Sequence, residues 1–344
     1  METALVTGGS GFVAGHLVAL LLQEGYSVRT TVRSLANPHK TRSLAELSRQ
    51  YPGRLQLYEA DLLREGAFDL PMQDCELVFH VASPFLMPEQ IKDGQNQVVE
   101  PALRGTRNVL GAVDRNPSVR RVVLTSTVGA IFGDYIDVRQ MAGGVLSEAY
   151  FNTTSTPQNN PYHYSKVAAE QEAWDICGRQ SRWSMVAINP GLILGPALTA
   201  ASDSGSLFLL EELLKGYFFY GAADFSFTNV DVRDVALAHL RAAQRETAKG
   251  RYILAEKQMI SFLEMSRILR PFHRRPWLLP RWAVPHALVH LVGPAFGLTQ
   301  DYIRKHLGIR FPVDNRRSIE ELGIVYRPVE ETLKDHYEAW LNSR

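Results

Sequence analysis

The chain has 344 residues, a length that suits two lobes or one large α/β domain with a cap better than one small core. Hydrophobic residues make up 45% and charged residues 21%, an ordinary globular composition that excludes a disordered or fibrous protein. The formal net charge of +1 excludes a global field that would draw the protein to nucleic acid or anionic lipid. No nucleic-acid partner is therefore expected.

Two cysteines, Cys75 and Cys177, lie in unrelated sequence contexts. Two are too few for a disulfide framework or a zinc site, so no metal is expected and a reducing, cytoplasmic compartment is predicted. The first residues pass directly into a strand pattern with neither a basic start nor a cleavage site, which argues against a secretory signal.

Strands and helices alternate along the first part of the chain. The hydrophobic pattern predicts strands at 3–7, 27–32, 55–59, 76–81, 119–126 and 184–189, and helices near 15–24, 41–51, 98–113 and 162–179. This alternation predicts a doubly wound parallel sheet of the Rossmann type, with helices on both faces. Right-handed crossovers then place a ligand at the carboxyl ends of the strands.

The rhythm changes after Pro190. A loop and an apolar helix are predicted at 197–221, a strand-and-helix pattern at 227–243, and a helical, proline-punctuated region from 259 onward. We therefore predict a cofactor-binding domain at 1–190, to which 226–256 returns, and a smaller, mostly helical substrate-binding lobe within 191–344.

The stretch 277–298 is the most apolar in the chain, but three prolines, two histidines and Arg281 interrupt it. A transmembrane helix needs about 20 mostly apolar residues without such breaks. No membrane span is expected, and a surface or partner-facing helix is predicted instead.

A glycine-rich loop separates the first strand from the first helix. Its small residues let the backbone approach a pyrophosphate at the helix N-terminus, although a bare structural turn would also use glycine. The spacing Gly8, Gly11, Ala14 differs from the usual dinucleotide fingerprint. The candidate cofactor-binding residues of this loop are Thr7, Gly8, Ser10, Gly11, Phe12 and Val13.

The end of the second strand selects the dinucleotide. NAD sites usually carry a carboxylate there, whereas NADP needs a cation for its 2′-phosphate. The sequence places Arg33 at this point and Lys40 seven residues later, which favours NADP, unless Arg33 is only a solvated surface residue. Asp61, after the third strand, is a candidate acceptor for the adenine amino group or, alternatively, a cap for the following turn.

Tyr162 and Lys166 lie four residues apart at the start of a predicted helix and so share one helical face. A free tyrosine has a pKa near ~10, and a nearby ammonium is expected to lower it. The pair is therefore a candidate acid/base for carbonyl reduction or alcohol oxidation. Hydroxyls at Ser126 and Thr127 end the preceding buried strand, where they can bind the reacting oxygen or simply cap the next turn.

Together these motifs resemble the extended short-chain dehydrogenases/reductases. The branch that they resemble contains dihydroflavonol reductases, cinnamoyl-CoA reductases and yeast methylglyoxal (aldehyde) reductases. The resemblance is close over 3–250 and is carried by Thr7-Gly8-x-x-Gly11-x-x-Ala14, Val28-Arg29-x-Thr31-Val32-Arg33, Phe79-His80-Val81-Ala82-Ser83-Pro84, Tyr162-x-x-x-Lys166 and Asn189-Pro190-Gly191-Leu192.

The resemblance implies Tyr162 as the catalytic acid/base and Lys166 as its modulator, which also holds the nicotinamide ribose. It implies that Arg33 and Lys40 bind the 2′-phosphate and that Asp61 and Leu62 bind the adenine. Val81, Ala82 and Ser83 would line the path of the ribose and nicotinamide, and Pro190 and Leu192 would line the nicotinamide face. The branch usually has serine where this chain has Thr127, which keeps the catalytic hydroxyl; Ser126 is the alternative.

The predicted function is an NADPH-dependent reductase of an aldehyde or ketone, working as a monomer or homodimer. A 3β-hydroxysteroid dehydrogenase or sugar-nucleotide epimerase would share the motifs but generally uses NAD, and a cofactor-sensing regulator typically lacks the Tyr/Lys pair. The substrate is a small carbonyl compound. The aromatic residues expected either to line its pocket or to belong to the core are Phe85, Phe132, Tyr135, Tyr217, Phe218, Phe219 and Phe225.

Overall fold

The computed structural model describes residues 1–84, 86, 90–199 and 204–343. Within them a seven-stranded sheet has the order β3-β2-β1-β4-β5-β6-β10, and every neighbouring pair is parallel. Its strands are β1 (Thr3–Val6), β2 (Ser27–Val32), β3 (Leu55–Glu59), β4 (Leu77–His80), β5 (Arg121–Thr125), β6 (Ser184–Pro190) and β10 (Gly250–Leu254). The predicted doubly wound Rossmann fold is confirmed.

Helices cover both faces of this sheet. They are α1 (Phe12–Gln23), α2 (Pro38–Gln50), α3 (Asp69–Met72), α4 (Glu100–Arg115), α5 (Pro161–Gly178) and α7 (Val232–Gln244). On one face α1 packs against α7, and on the other α4 packs against α5. Ala4 and Val6 of β1 enter the first core and Leu5 the second, because alternate residues of a strand point to opposite faces. Burial on both faces explains why the central strands β1, β4, β5 and β6 are mostly apolar, whereas the edge strand β3 is partly exposed and more polar.

The strand order reverses at β1, between β2 and β4. Loops that leave β1 and β4 therefore diverge and open a crevice at the carboxyl edge of the sheet, the usual ligand position in this architecture.

The C-terminal region has a core of its own. Its small strands pair as β7 (Leu192–Leu194) with β9 (Asn229–Asp231) and β8 (Ser226–Phe227) with β11 (Ile260–Ser261). Its helices are α6 (Gly205–Lys215), α8 (Phe262–Leu269), α9 (His286–Val292), α10 (Gln300–His306), α11 (Arg316–Glu320) and α12 (Val329–Asn342). Side chains of α6, α8 and α12 form one apolar cluster. The region is mostly helical, as predicted.

The segment 226–256, expected to return to the first domain, divides between the two regions. Its strands β8 and β9 belong to the small sheets, whereas α7 and β10 join the Rossmann layers. The apolar stretch 277–298 folds into short turns around α9. No helix in the described ranges is long and apolar enough to cross a membrane.

Candidate active site

The glycine loop after β1 brings the backbone close to two neighbouring strands. Gly8 has φ +73°, and a Cβ there would lie 2.9 Å from the Ala82 Cβ. A Cβ at Gly9 would lie 2.1 Å from the Thr30 Oγ1, so no larger residue fits either position. Helix α1 then begins after Gly11, and no hydrogen bond from a described side chain caps its N-terminus. The backbone N–H groups of the first helical turn have no partner within the helix, which makes this helix end suitable for a phosphate.

A cleft of about 440 Å³ opens beside this loop and runs along the ends of β1, β2, β4, β5 and β6. We call it the cofactor cleft. Sixteen of the predicted site residues line it: Gly8, Ser10, Gly11, Phe12, Val13, Arg33, Lys40, Asp61, Leu62, Val81, Ala82, Ser83, Thr127, Tyr162, Lys166 and Pro190. The fold therefore brings together residues that lie up to 182 positions apart in sequence, from Gly8 to Pro190.

Thr7 and Leu192 are not among the described residues that line this cleft. Thr7 is fully buried, and its Oγ1 accepts hydrogen bonds from the backbone N–H groups of Val81 (3.0 Å) and Ala82 (2.9 Å). It therefore holds the β4 loop in place rather than facing a ligand. Leu192 packs against the C-terminal core, whereas its neighbours Gly191 and Ile193 line the cleft, because side chains alternate along β7.

The hydroxyl of Thr7 also determines which ring nitrogen of His80 carries the proton. Since its hydroxyl already accepts two N–H groups, its own proton is left for the His80 Nδ1, 3.2 Å away. Burial, with a smaller contribution from the Lys166 charge, lowers the pKa of His80 to about 4. His80 is therefore neutral at pH 7 and carries its proton on Nε2.

Arg33 lies exposed immediately after β2, on the wall of the cleft, and Lys40 follows in the first turn of α2. Both cations thus lie at the strand end where this fold binds the ribose that carries the 2′-hydroxyl or 2′-phosphate of a dinucleotide. Asp61 lies on the same wall, and its Oδ1 accepts the Leu63 N–H at 2.8 Å. The two interpretations of Asp61 are therefore compatible, because one carboxylate caps the turn and also faces the cleft.

Tyr162 and Lys166 project from α5 into the cleft. The Lys166 Nζ donates to the Ser83 Oγ at 2.8 Å and lies 5.7 Å from the centre of the Tyr162 ring. Tyr162 is 38% exposed, and the partial removal of its hydroxyl group from water raises its pKa to about 12, whereas burial lowers the pKa of Lys166 to about 8. The shift at Tyr162 is opposite to the expected one, because desolvation dominates while the ammonium binds Ser83. The phenol is therefore fully protonated at neutral pH, the state that a proton donor needs.

The structure separates the two candidate hydroxyls at the end of β5. The Ser126 hydroxyl is buried and donates to the Glu170 Oε2 at 2.5 Å. The Thr127 hydroxyl donates to the Pro190 carbonyl at 3.3 Å and accepts the Gly129 N–H at 3.2 Å. Those two contacts are long, so Thr127 can exchange one of them for a ligand at lower cost than Ser126 can leave its carboxylate.

Glu170 is a buried residue that the sequence reasoning missed. Its carboxylate accepts from Arg251 Nε (2.6 Å), Asn189 Nδ2 (2.9 Å) and Trp174 Nε1 (3.2 Å), besides Ser126. Glu170 is 1% and Arg251 6% exposed, so the ion pair is shielded from water. The available sequence signal was the spacing, since Glu170 lies four residues beyond Lys166 on the same helical face.

A second cavity, of about 1040 Å³, adjoins the cofactor cleft and shares Tyr162 with it. Aromatic rings of Tyr135, Tyr302 and His306 line it, together with carboxylates of Asp93, Asp134 and Asp301. The Tyr302 and His306 rings stack with centroids 4.0 Å apart. The Lys305 Nζ binds Asp134 at 2.9 Å and Asp301 at 2.7 Å.

Of the aromatic candidates that the structure describes, Tyr135 alone lines this cavity. Phe132 is 3% exposed and packs edge-on against Tyr135, His163 and Phe311 in the core. Phe218 and Phe225 are packed in the C-terminal region, whereas Tyr217 and Phe219 are exposed to solvent. Phe85 lies outside the described residues.

Comparison with known proteins agrees with this geometry. The NAD dependent epimerase/dehydratase family matches residues 4–255. The chain is 34% identical over 338 residues to the cinnamoyl-CoA reductase CAD2 of Medicago truncatula, and this alignment covers 97% of this chain and 94% of the relative. It is 37% identical over 267 residues to an anthocyanidin reductase of Vitis vinifera, and this alignment covers 73% of this chain and 75% of the relative.

Solved structures give the same result. The yeast methylglyoxal/isovaleraldehyde reductase Gre2, complexed with NADPH, is similar with a TM-score of 0.79 and 26% identity, over 99% of this chain and 98% of that one. Gre2 of Candida albicans, also with NADPH, has a TM-score of 0.79 and 28% identity over the full length of both chains. The chain thus belongs to the NAD dependent epimerase/dehydratase family, within the extended short-chain dehydrogenases/reductases.

Proposed function

We propose that this protein is an NADPH-dependent reductase that converts an aldehyde or ketone to an alcohol. The observation that carries the proposal is the position of Tyr162, a protonated phenol on the boundary between the cofactor cleft and the second cavity. When bound, NADPH supplies the hydride to the carbonyl carbon. Tyr162 donates its proton to the carbonyl oxygen, so that hydride and proton together give the alcohol.

The residues of the cleft fit this cofactor. The uncapped start of α1 suits the pyrophosphate, and the cations Arg33 and Lys40 suit the 2′-phosphate. Lys166, beside Ser83, would hold the ribose of the bound cofactor, and Thr127 would donate a hydrogen bond to the substrate oxygen. A sugar-nucleotide epimerase is the weaker alternative, because Arg33 replaces the carboxylate that an NAD site usually has.

The second cavity is the proposed substrate site. Its tyrosine and histidine rings can stack on an aromatic or other flat apolar substrate. The described lining has three carboxylates and Lys92, and Asp134 and Asp301 are paired with Lys305, so this cavity offers no surplus of positive charge for the phosphates of a coenzyme A thioester, the substrate class in the name of one relative. We therefore propose an uncharged aryl or alkyl aldehyde or ketone. The two unpaired cysteines are compatible with the proposed cytoplasmic, reducing location.

The test is to follow NADPH absorbance with a panel of neutral aldehydes, ketones and dihydroflavonols beside cinnamoyl-CoA and other acyl-CoA esters. We expect turnover with neutral carbonyls and much lower kcat/KM with the thioesters. Tyr302→Leu should raise KM for aryl substrates while KM for a small aliphatic aldehyde stays the same. Preference for acyl-CoA esters would overturn the proposed substrate class, and failure to oxidise NADPH with every carbonyl would overturn the reductase.

A further inference from the structure

Several large aromatic side chains are exposed on the surface of the C-terminal region. Among the described residues, Tyr217 is 57%, Phe219 59%, Tyr220 50%, Trp277 62% and Trp282 56% exposed. We call these five residues the aromatic surface. A contiguous exposed apolar patch of this kind marks an interaction site.

Backbone contacts join the two segments that carry these residues. The Ala222 N–H donates to the Trp282 carbonyl at 3.2 Å, and the Val284 N–H donates to the Ala222 carbonyl at 2.9 Å. A Cβ at Gly216 would lie 2.8 Å from the Leu278 Cβ. The turn at 216–221 therefore lies along 277–284, which places the two groups of aromatic residues on neighbouring segments.

The segment that carries Trp277 and Trp282 is cationic. The segment that carries Tyr217, Phe219 and Tyr220 is flanked by Glu211, Glu212 and Asp224, of which Glu211 pairs with Lys215 and Asp224 with Arg310. Residues 265–300 contain five arginines and neither aspartate nor glutamate, in a protein with a net charge of only +1. Arg274, Arg275 and Arg281 are exposed. Arg270 is half-buried and donates to the Pro280 carbonyl at 2.7 Å, so it also stiffens the segment that presents Trp277 and Trp282.

We propose that the aromatic surface and its arginines bind this protein peripherally to an anionic phospholipid membrane. Tryptophan and tyrosine concentrate at the level of the lipid headgroups, where ring and polar edge are both accommodated. Arginines beside them are attracted to anionic headgroups. A second copy of the chain is a poorer occupant, because self-association would bring arginines against arginines. Helix α9 has 7 residues, so this segment lies on the membrane and does not cross it.

The experiment uses the full-length protein and sedimentation with vesicles of phosphatidylcholine, with and without phosphatidylglycerol. We expect binding to the vesicles that contain phosphatidylglycerol, suppression of that binding by salt, and a shift of tryptophan emission to shorter wavelength. The shift reports on Trp277 and Trp282, since these two are exposed, whereas Trp183 is buried and Trp174 and Trp340 are partly buried. It should therefore be lost in the variant that lacks Trp277 and Trp282. Trp277→Ser with Trp282→Ser, and separately Arg274→Gln with Arg275→Gln, should each weaken binding by about ten-fold or more.

Arg49→Gln with Arg179→Gln is the matched control, because both of these arginines are exposed elsewhere and the change removes the same charge. NADPH turnover of a water-soluble carbonyl should be unchanged in every variant, which separates lost membrane binding from misfolding and from failure of the proposed reductase. Absence of binding to anionic vesicles, or equal binding by all variants, overturns the proposal. A lipid-free dimer that the tryptophan variant dissociates would assign the surface to a second copy and overturn it too.

Discussion

The cofactor cleft and the second cavity meet at Tyr162, but they are built differently. The walls of the cleft are the carboxyl ends of neighbouring parallel strands, where glycine and backbone groups decide what fits. The walls of the second cavity come from separate stretches at 91–95, 134–135, 157–163 and 299–306, together with Phe227. A small set of local rules therefore determines cofactor binding, whereas substrate recognition depends on how distant segments pack.

The comparison predicts different consequences for substitutions. A change at the cleft should affect the cofactor and leave the choice of substrate unaltered, and a change in the second cavity should do the reverse. Tyr162 belongs to both walls, and α5 carries it, so residues that hold α5 should affect the whole reaction.

The largest effect is expected for Tyr162→Phe, which removes the hydroxyl and keeps the ring. Loss of a placed proton donor should lower kcat by about 10²–10⁴-fold. NADPH affinity, measured by fluorescence titration, should stay within about two-fold because the cleft keeps its shape. Tyr164→Phe is the control two residues along the same helix. Near-native turnover by Tyr162→Phe together with an inactive Tyr164→Phe would show that the proton comes from elsewhere.

Glu170→Gln should destabilise the fold, since it leaves Arg251 buried and without a full countercharge. Breaking a buried ion pair typically costs ~3–5 kcal/mol, which chemical denaturation can measure. Because Glu170 also holds Ser126 and Asn189, kcat of the protein that remains folded should fall more than KM rises. Glu172→Gln, whose salt bridge to Arg107 is more exposed, should change stability by less than ~1 kcal/mol. Equal effects of the two variants would contradict the positioning role.

Arg33→Ala should weaken NADPH binding by at least about ten-fold, the loss expected for a charge-assisted contact worth ~1.5–3 kcal/mol. NADH has no 2′-phosphate, so its affinity should hardly change, and neither should the ranking of substrates. Titration with both cofactors measures the ratio. An equal loss for NADH and NADPH, or a native preference for NADH, would place the 2′-phosphate away from Arg33.

The pH profile should give the smallest and most gradual effect. The Lys166 ammonium loses its proton as pH rises through about 8, whereas Tyr162, with a pKa of about 12, stays protonated. We expect kcat/KM to fall above pH about 8 by up to about ten-fold per pH unit. Lys166→Met should show low activity without this alkaline fall. A fall that persists unchanged in Lys166→Met would assign it to another group.

The same shift has a consequence for stability. The pKa of Lys166 in the folded protein, about 8, is below the value of ~10.4 for an unfolded lysine. Its partly buried charge therefore opposes folding at neutral pH, and this unfavourable contribution disappears as the pH rises from the folded to the unfolded pKa. Thermal unfolding of the cofactor-free protein should show the corresponding gain in wild type and not in Lys166→Met.

The alternation of strands and helices in the sequence was sufficient to predict the sheet, because burial on both faces demands apolar strands separated by amphipathic helices. The glycine loop, Arg33 at a strand end and the spacing of Tyr162 and Lys166 are equally local, and the structure brings these residues into one cleft. Each of these features depends on a few neighbouring residues and the geometry of one turn or one helix face.

Features that depend on contacts between distant segments needed the tertiary structure. Glu170 and Arg251 are 81 residues apart in sequence, and neither residue alone indicates a buried pair. The facing of Ile193 rather than Leu192 toward the cleft depends on the register of β7 on β9. Phe132 is in the core while Tyr135 reaches the second cavity, although Phe311 packs edge-on against both rings. Local periodicity specifies which residues are buried, and long-range packing specifies which buried residues meet.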